Sequence, residues 1–205
     1  MRGKYSVENK IINNVFTEQE IKDIENAAFL KKDDTEIQTF LGRTRLDYSF
    51  EDIDKLPKSI LNKANDLIKE FSDKNKRKYS FRYFTLVEYN NEFGMPQLGP
   101  HKDTCAFTGT ILCQLKSNIA WDIYVEGIPY MLTDNSALLI NARDQDHWRM
   151  HKEFNEGDYL KMVFLHYMDL DDQEMNTSNA DQLHEVNMKW AHITGYTPDQ
   201  RTYDN

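Results

Sequence analysis

From residue 79 to residue 169 the sequence is divided into short segments of strand-forming residues. The first segment alternates aromatic and β-branched residues, so one face of a long strand would carry Phe81, Tyr83, Thr85, Val87 and Tyr89. Five shorter segments follow, with turn signals between them, at residues 104–115, 120–125, 128–132, 137–141 and 159–167. Many short strands separated by turns predict an antiparallel sandwich or barrel.

Two helices are predicted before these strands. In Thr17-Glu18-Gln19-Glu20, the Thr17 hydroxyl can accept from the Glu20 amide while the Glu20 carboxylate reaches back, which is a capping box. A helix over residues 17–31 would bury one apolar stripe, formed by Ile21, Ile24 and Ala28. Pro57 suits the first turn of a second helix, whose apolar residues recur at helical spacing from Ile60 to Phe71. We expect both helices to pack on the outside of the β-structure.

Composition narrows the class of protein. The formal net charge of −9 disfavours a nonspecific polyanion binder, so nucleic acid is an unlikely partner. The chain has two cysteines, Cys105 and Cys113, and this small number argues against a disulfide framework. We expect both to be small core residues, and the protein to reside in a reducing compartment. There is no signal-peptide pattern and no apolar run long enough for a membrane span, so we expect a cytoplasmic protein without a membrane partner. The oligomeric state stays open.

A His-x-Asp pair stands just before the second strand segment. On a strand, the two-residue spacing places the side chains of His101 and Asp103 on one face, where they can share a metal ion. His147, 44 residues after Asp103, is the preferred third ligand because residues 137–141 form a strand that leads into its turn. His151 is the alternative. Two histidines and one carboxylate form the facial triad of non-haem iron(II) oxygenases, which leaves coordination positions open.

The order of these features resembles the iron(II)- and 2-oxoglutarate-dependent dioxygenases, particularly the prolyl-hydroxylase-like branch. The resemblance covers residues 11–169 and implies a double-stranded β-helix, or jelly-roll, with iron(II) at one open end. It also implies 2-oxoglutarate as co-substrate, dioxygen as oxidant and ascorbate as a supporting reductant. One domain would then comprise a helical support over residues 11–78, a jelly-roll core over 79–169 and a polar extension over 170–205.

The resemblance implies a basic residue that binds the far carboxylate of 2-oxoglutarate, and two residues compete for this role. Lys161 lies on the last core strand, 14 residues after His147 and 10 after His151. Arg149 would share a face with His147 in an extended segment, and its planar guanidinium suits a carboxylate. Tyr89 resembles the tyrosine that many family members place near the co-substrate.

The substrate is the least constrained prediction. The resemblance favours hydroxylation of a prolyl or other residue in a polypeptide, with loops at residues 90–100 and 43–54 flanking the extended chain. The alternatives are the same chemistry on a small molecule or nucleobase, and a non-catalytic metal-binding jelly-roll. The segment from Arg43 to Tyr48 contains two arginines that can contact an acidic ligand or form a solvated strand edge, and we favour the solvated edge. His166 is interpreted as a structural histidine, and His184 and His192 as unrelated to the metal.

Overall fold

Two antiparallel sheets and two helices form the fold in a computed structural model that describes residues 9–48, 53–75, 79–103 and 109–169. The helices are α1 (Glu18–Leu30) and α2 (Lys58–Asn75). The strands are β1 (Lys10–Asn13), β2 (Glu36–Gln38), β3 (Arg43–Tyr48), β4 (Tyr79–Asn90), β5 (Leu98–His101), β6 (Gly109–Ser117), β7 (Ile123–Val125), β8 (Ile128–Tyr130), β9 (Ser136–Ile140), β10 (His147–Arg149) and β11 (Tyr159–Asp169).

The strand order is that of a jelly-roll. A large sheet has the order β1-β9-β6-β11-β4-β3-β2, and a small sheet has the order β5-β10-β7-β8. Every pair of neighbouring strands is antiparallel. The mainly β fold with a jelly-roll core, predicted from the sequence, is confirmed. Among the described residues, no helix has the length and apolar character needed to cross a membrane.

The outer face of the large sheet is covered by the two helices. The capping box of α1 is present as predicted, with the Thr17 hydroxyl accepting from the Glu20 amide and the Glu20 carboxylate accepting from the Thr17 amide. Apolar side chains of α1 and α2 pack against outward-facing residues of the sheet, which include Ile111, Val163 and Leu165. The predicted position of the helices, on the outside of the β-structure, follows from these contacts.

The inner face of the large sheet packs against the small sheet and builds a second apolar cluster. On β11, Leu160 and Met162 belong to this inner cluster, whereas Val163 and Leu165 belong to the outer one. This separation follows from the alternation of side chains along a strand. The inner cluster therefore depends on which residues of each strand point inward.

A bulge in β4 changes one predicted face. The pairing of β11 with β4 shifts between His166 and Tyr167, so that Tyr83 lies opposite His166 and Phe81 lies opposite Tyr167. Phe81 consequently packs in the outer cluster, 5.6 Å from the Tyr167 ring, and not on the face of Tyr83. The prediction of one continuous face from Phe81 to Tyr89 is wrong at Phe81, because strict alternation fails across a bulge.

The interpretation of residues 43–48 as a solvated edge is also wrong for Arg43. These residues form β3, which lies between β4 and β2, and Arg43 is only 8% exposed. The turn before β3 packs closely against the segment that leads into β5. Gly42 in this turn has φ +58°, and a Cβ atom at this position would lie 2.3 Å from the Pro96 nitrogen. Only glycine fits this close approach.

Some predictions lie outside the described residues. These are the strand segment at 104–108 with Cys105, the C-terminal extension, and the tail histidines His184 and His192. Cys113 lies in the described part and is buried in the outer cluster, as predicted for a small core residue.

Candidate metal centre

The two candidate histidine ligands come from neighbouring strands of the small sheet. His101 ends β5, His147 begins β10, and these two residues lie directly opposite each other in the antiparallel pair. Their rings are 4.2 Å apart, centroid to centroid. Asp103 follows β5 and is fixed by its backbone amide, which donates to the Ala142 carbonyl at 2.8 Å. A sheet register and one turn contact therefore bring three distant side chains together.

The three candidate ligand atoms lie close together. His101 Nε2 lies 3.8 Å and His147 Nε2 lies 3.6 Å from the same oxygen, Asp103 Oδ1. All three ligand atoms are within 4.8 Å of one another. Among the described residues, these are the His, Cys, Asp and Glu side chains that cluster in this way. Three protein ligands would leave positions of an octahedral ion open to small molecules.

Both imidazole rings are oriented by backbone carbonyls. His101 Nδ1 donates to the Gly99 carbonyl at 2.8 Å, and His147 Nδ1 donates to the Gln145 carbonyl at 3.1 Å. A carbonyl oxygen only accepts, so Nδ1 carries the proton in each neutral ring and Nε2 keeps its lone pair. This arrangement is typical of metal-binding histidines, whose second nitrogen is held by a backbone or carboxylate oxygen.

A buried hydroxyl orients the carboxylate. The Thr110 hydroxyl on β6 donates to Asp103 Oδ2 at 2.9 Å and also lies 2.9 Å from His166 Nδ1 on β11. Because its single proton goes to the carboxylate, the hydroxyl accepts from His166 Nδ1. Oδ2 is thereby engaged, and Oδ1 faces the two histidines. The sequence gives no local signal for Thr110, since its role depends on the pairing of β6 with β11.

The protonation states suit a metal site. Burial lowers the pKa of His101 to about 3, with a further contribution from His147. Burial alone would raise the pKa of Asp103, but His147, His166, His101 and the Thr110 hydrogen bond together bring it down to about 2. Burial likewise lowers the pKa of His166 to about 4. At neutral pH His101 and His166 are therefore neutral and Asp103 is ionised, and metal binding requires neutral imidazole and ionised carboxylate ligands.

Arg149 lies on the same strand and face as His147, and it is 3% exposed. Its guanidinium donates to the Trp121 carbonyl, approaches Met162 Sδ at 3.1 Å and lies 5.0 Å from the Trp121 ring. Burial lowers its pKa to about 10, so the group remains a cation at neutral pH. Within the described ranges, no carboxylate is close enough to form an ion pair with it. Asp122 acts on it electrostatically but forms no ion pair with it, so this buried cation can bind an anionic ligand.

Lys161 and His151 do not join this cluster. Lys161 alternates with the inward-facing Leu160 and Met162, and its ammonium group lies 3.6 Å from the Glu88 carboxylate on the neighbouring strand. Its side chain is 39% exposed. His151 follows the end of β10 and is exposed to solvent.

Tyr89 and Arg43 form a second polar contact in the interior. Tyr89 is fully buried, its hydroxyl accepts from Arg43 Nη1 at 3.0 Å, and its ring packs edge-on against Trp121 at 5.0 Å. Arg43 Nε donates to Gln38 Oε1 at 2.7 Å. One sequence signal could have placed Arg43 on the inward face. In this strand Arg43, Arg45 and Asp47 alternate with Leu46 and Tyr48, which pack in the outer cluster.

Solved structures share this fold, although no protein-family model and no curated protein sequence matches the chain. A prolyl hydroxylase from Trichoplax adhaerens, in complex with a hypoxia inducible factor peptide fragment, has a TM-score of 0.62 at 11% identity over 83% of this chain and 87% of that one. The α-ketoglutarate-dependent epimerase SnoN from nogalamycin biosynthesis has a TM-score of 0.61 at 12% identity, with 84% and 85% covered.

A third similar structure is HygX from Streptomyces hygroscopicus, with nickel and 2-oxoglutarate bound. Its TM-score is 0.58 at 13% identity, over 85% of this chain and 89% of that one. At these identities the similarity establishes the architecture. The chain has the fold of the non-haem iron(II)- and 2-oxoglutarate-dependent oxygenases, prolyl hydroxylases among them, with a His-Asp-His set between its two sheets.

Proposed function

We propose that this protein is an iron(II)- and 2-oxoglutarate-dependent oxygenase that hydroxylates a C–H bond. The observation that carries the proposal is the convergence of His101, His147 and Asp103, with the buried Arg149 on the strand of His147 and without an ion pair among the described residues. A metal ion with open positions and a nearby cation are the two features that a chelating oxo-acid requires. The shared fold of known oxygenases supports the same conclusion.

The chain's residues would hold iron(II) through His101 Nε2, His147 Nε2 and Asp103 Oδ1. The bound iron would supply the chemistry, which couples the conversion of 2-oxoglutarate and dioxygen to succinate and carbon dioxide with the transfer of oxygen to a C–H bond. Carbonyl contacts on both Nδ1 atoms and the Thr110 contact on Oδ2 keep the three ligand atoms in place. Such support raises metal affinity because the ligands need little reorganisation.

Arg149 is the residue that we propose as the anchor for the far carboxylate of 2-oxoglutarate. It lies on the strand and face of His147, and its guanidinium has a planar edge that can bind a carboxylate at two points. Lys161 has less support, since it alternates with inward-facing residues and pairs with Glu88. Tyr89, buried beside Trp121, would close the interior around the co-substrate.

The walls of the site would exclude water. The Trp121 ring packs edge-on against Tyr89 at 5.0 Å and against Phe154 at 5.3 Å, centroid to centroid. Met162 lies next to the Arg149 guanidinium. Apolar walls lower the local dielectric, which strengthens the attraction between a buried cation and a carboxylate.

Succinate formation tests this function. We expect the protein with iron(II), ascorbate and oxygen to convert 2-oxoglutarate to succinate, even without a prime substrate. Arg149→Gln should weaken 2-oxoglutarate binding to the manganese(II)-loaded protein by about 3 kcal/mol, roughly 100-fold, because a charge-assisted partner is lost. Lys161→Gln is the matched control and should bind normally. Metal binding without any succinate formation would favour a non-catalytic metal-binding module.

We further propose a polypeptide as the prime substrate, with a prolyl residue as the leading target. The neighbouring prolyl hydroxylase structure with its peptide supports this choice, and proline-rich peptides lose little entropy on binding because their extended form is pre-set. Mass spectrometry of a proline-rich peptide library, incubated with the iron-loaded protein, should detect an added oxygen. Succinate production stimulated by a small molecule or nucleobase, with no peptide modified, would instead identify the alternative substrate class.

A further inference from the structure

Arg43 is a second buried cation that the co-substrate site described above does not use. Its two hydrogen-bond acceptors, Gln38 Oε1 and the Tyr89 hydroxyl, are neutral. Its remaining nitrogen, Nη2, has no hydrogen-bond partner within the described ranges. A guanidinium that is only 8% exposed and has no counter-charge is costly to bury. The two neutral contacts fix its orientation and leave one edge of the group free.

The free edge of Arg43 remains accessible. In the described part of the chain, the side-chain atoms that are fully buried without a partner are Asn9 Oδ1 and Asn141 Oδ1. Arg43 Nη2 is not among them, so it keeps contact with accessible space. A ligand group that binds this nitrogen would not require the protein to give up a hydrogen bond.

Arg43 contacts the inner apolar cluster between the two sheets. It donates to the Tyr89 hydroxyl, and Tyr89 belongs to that cluster. Its guanidinium contacts Tyr89, which packs on Trp121, and Trp121 contacts Arg149. Arg43 thus contacts the Tyr89 ring and Arg149 contacts the Trp121 ring. The two cations occupy separate positions on either side of this aromatic pair.

The charge of Arg43 is not balanced by the charges around it. Among the described residues, Arg45 is paired with Asp47 at 2.8 Å, and Asp122 acts electrostatically on Arg149. The Asp103 carboxylate faces His101 and His147. The single positive charge of Arg43 is left without an ion-pair partner in a region of low dielectric, where an uncompensated charge is costly.

We propose that Arg43 binds a carboxylate of the prime substrate, so that the enzyme prefers an acidic molecule or an acidic peptide. This proposal rests on the proposed function and specifies its substrate. A carboxylate brings one negative charge, which matches the single positive charge of Arg43, whereas a phosphate dianion would add a second negative charge to the same buried place. The planar guanidinium also matches the carboxylate geometry.

Matched pairs of probes test this specificity by binding. Each pair would differ only in a carboxylate or its amide: acetyl-proline with acetyl-prolinamide, and acetyl-Pro-Glu-amide with acetyl-Pro-Gln-amide. Calorimetric titration into the protein loaded with manganese(II) and 2-oxoglutarate measures the affinity ratio of acid to amide. We expect at least one pair to show a preference of about 10-fold or more for the acid. Arg43→Gln should bring this ratio close to one.

Two further variants separate charge recognition from structural support. Arg43→Lys keeps the charge and should retain part of the acid preference, and it replaces Arg43→Gln if that variant does not fold. Lys116→Gln removes an exposed positive charge on β6 and should keep the full preference. A panel in which no acid is preferred, or an acid preference that survives Arg43→Gln, overturns the proposal. Lack of succinate formation in the wild-type protein would instead count against the proposed function, because the binding ratio does not depend on turnover.

Discussion

The two faces of the large sheet carry different kinds of side chain, although the same strands supply both. On the outer face, buried polar groups are fully satisfied by the helices: Tyr167 donates to the Ala64 carbonyl at 2.7 Å and Tyr48 donates to the Ala27 carbonyl at 2.9 Å. On the inner face, His166 and Thr110 support a carboxylate, and Arg149 and Arg43 form no ion pair with any described residue. The polar groups of the outer face are thus satisfied within the protein, whereas the inner face keeps two buried cations that a ligand could compensate.

This difference separates stability from binding. Groups that are satisfied within the protein contribute to the free energy of unfolding, while buried groups without partners reduce it unless a ligand compensates them. We therefore expect variants of the inner face to change ligand affinity, and variants of the outer face to change stability. Three predictions, in order of decreasing effect, test this separation.

The largest effect is expected at the distal metal ligand. His147→Ala should lower the affinity for manganese(II) or cobalt(II) by more than about 100-fold, because even the loss of a residue that only supports a ligand costs 10- to 100-fold. His151→Ala is the matched control, since His151 is exposed and outside the cluster. Calorimetric titration measures both affinities. If His151→Ala loses the metal and His147→Ala retains it, the distal ligand is His151.

An intermediate effect is expected at Thr110. Thr110→Val keeps the shape of the side chain but leaves Asp103 Oδ2 and His166 Nδ1 without their shared partner, so metal affinity should fall by about 10- to 100-fold. Thr110→Ser retains the hydroxyl and should restore most of the affinity. Equal affinities for the valine and serine variants, measured by the same titration, would show that the hydroxyl does not position the carboxylate.

The smallest effect is expected on the outer face. Tyr167→Phe removes the hydrogen bond to Ala64 and should lower the free energy of unfolding by about 1 kcal/mol in a denaturant titration. Metal affinity should not change. Tyr159→Phe, on the same strand, is the control, because its hydroxyl makes no hydrogen bond with the described residues. A change in metal affinity for Tyr167→Phe would contradict the separation of the two faces.

Local signals in the sequence predicted the elements that depend on neighbouring residues. The capping box of α1, the apolar spacing of α2 and the alternation in β4 each act within a few residues, and all three elements are present. The His-x-Asp spacing predicted a shared metal because both residues come from one short segment. The fold class followed from the order of these elements and from the family resemblance.

Features that depend on distant pairing could not be predicted in the same way. The burial of Arg43 requires β2 and the segment around Pro96 to pack around β3. Phe81 does not share the face of Tyr83 because a bulge in β4 separates them, and this bulge is defined by the pairing of β4 with β11. Thr110 is linked to Asp103 and His166 only after β6 pairs with β11. In each case the deciding contact joins residues that are far apart in the chain.

The alternation along β11 limits how a protein of this kind can evolve. A substitution at Met162 or Phe164 alters the lining of the interior and leaves the contacts of Val163 and Leu165 with the helices intact. An insertion or deletion of one residue would exchange the inward-facing and the outward-facing side chains along the rest of the strand. Residues that now face the interior would then face the helices, and the reverse. The lining of the interior can therefore change through point substitutions in β11, whereas changes in length are better tolerated in the surrounding loops.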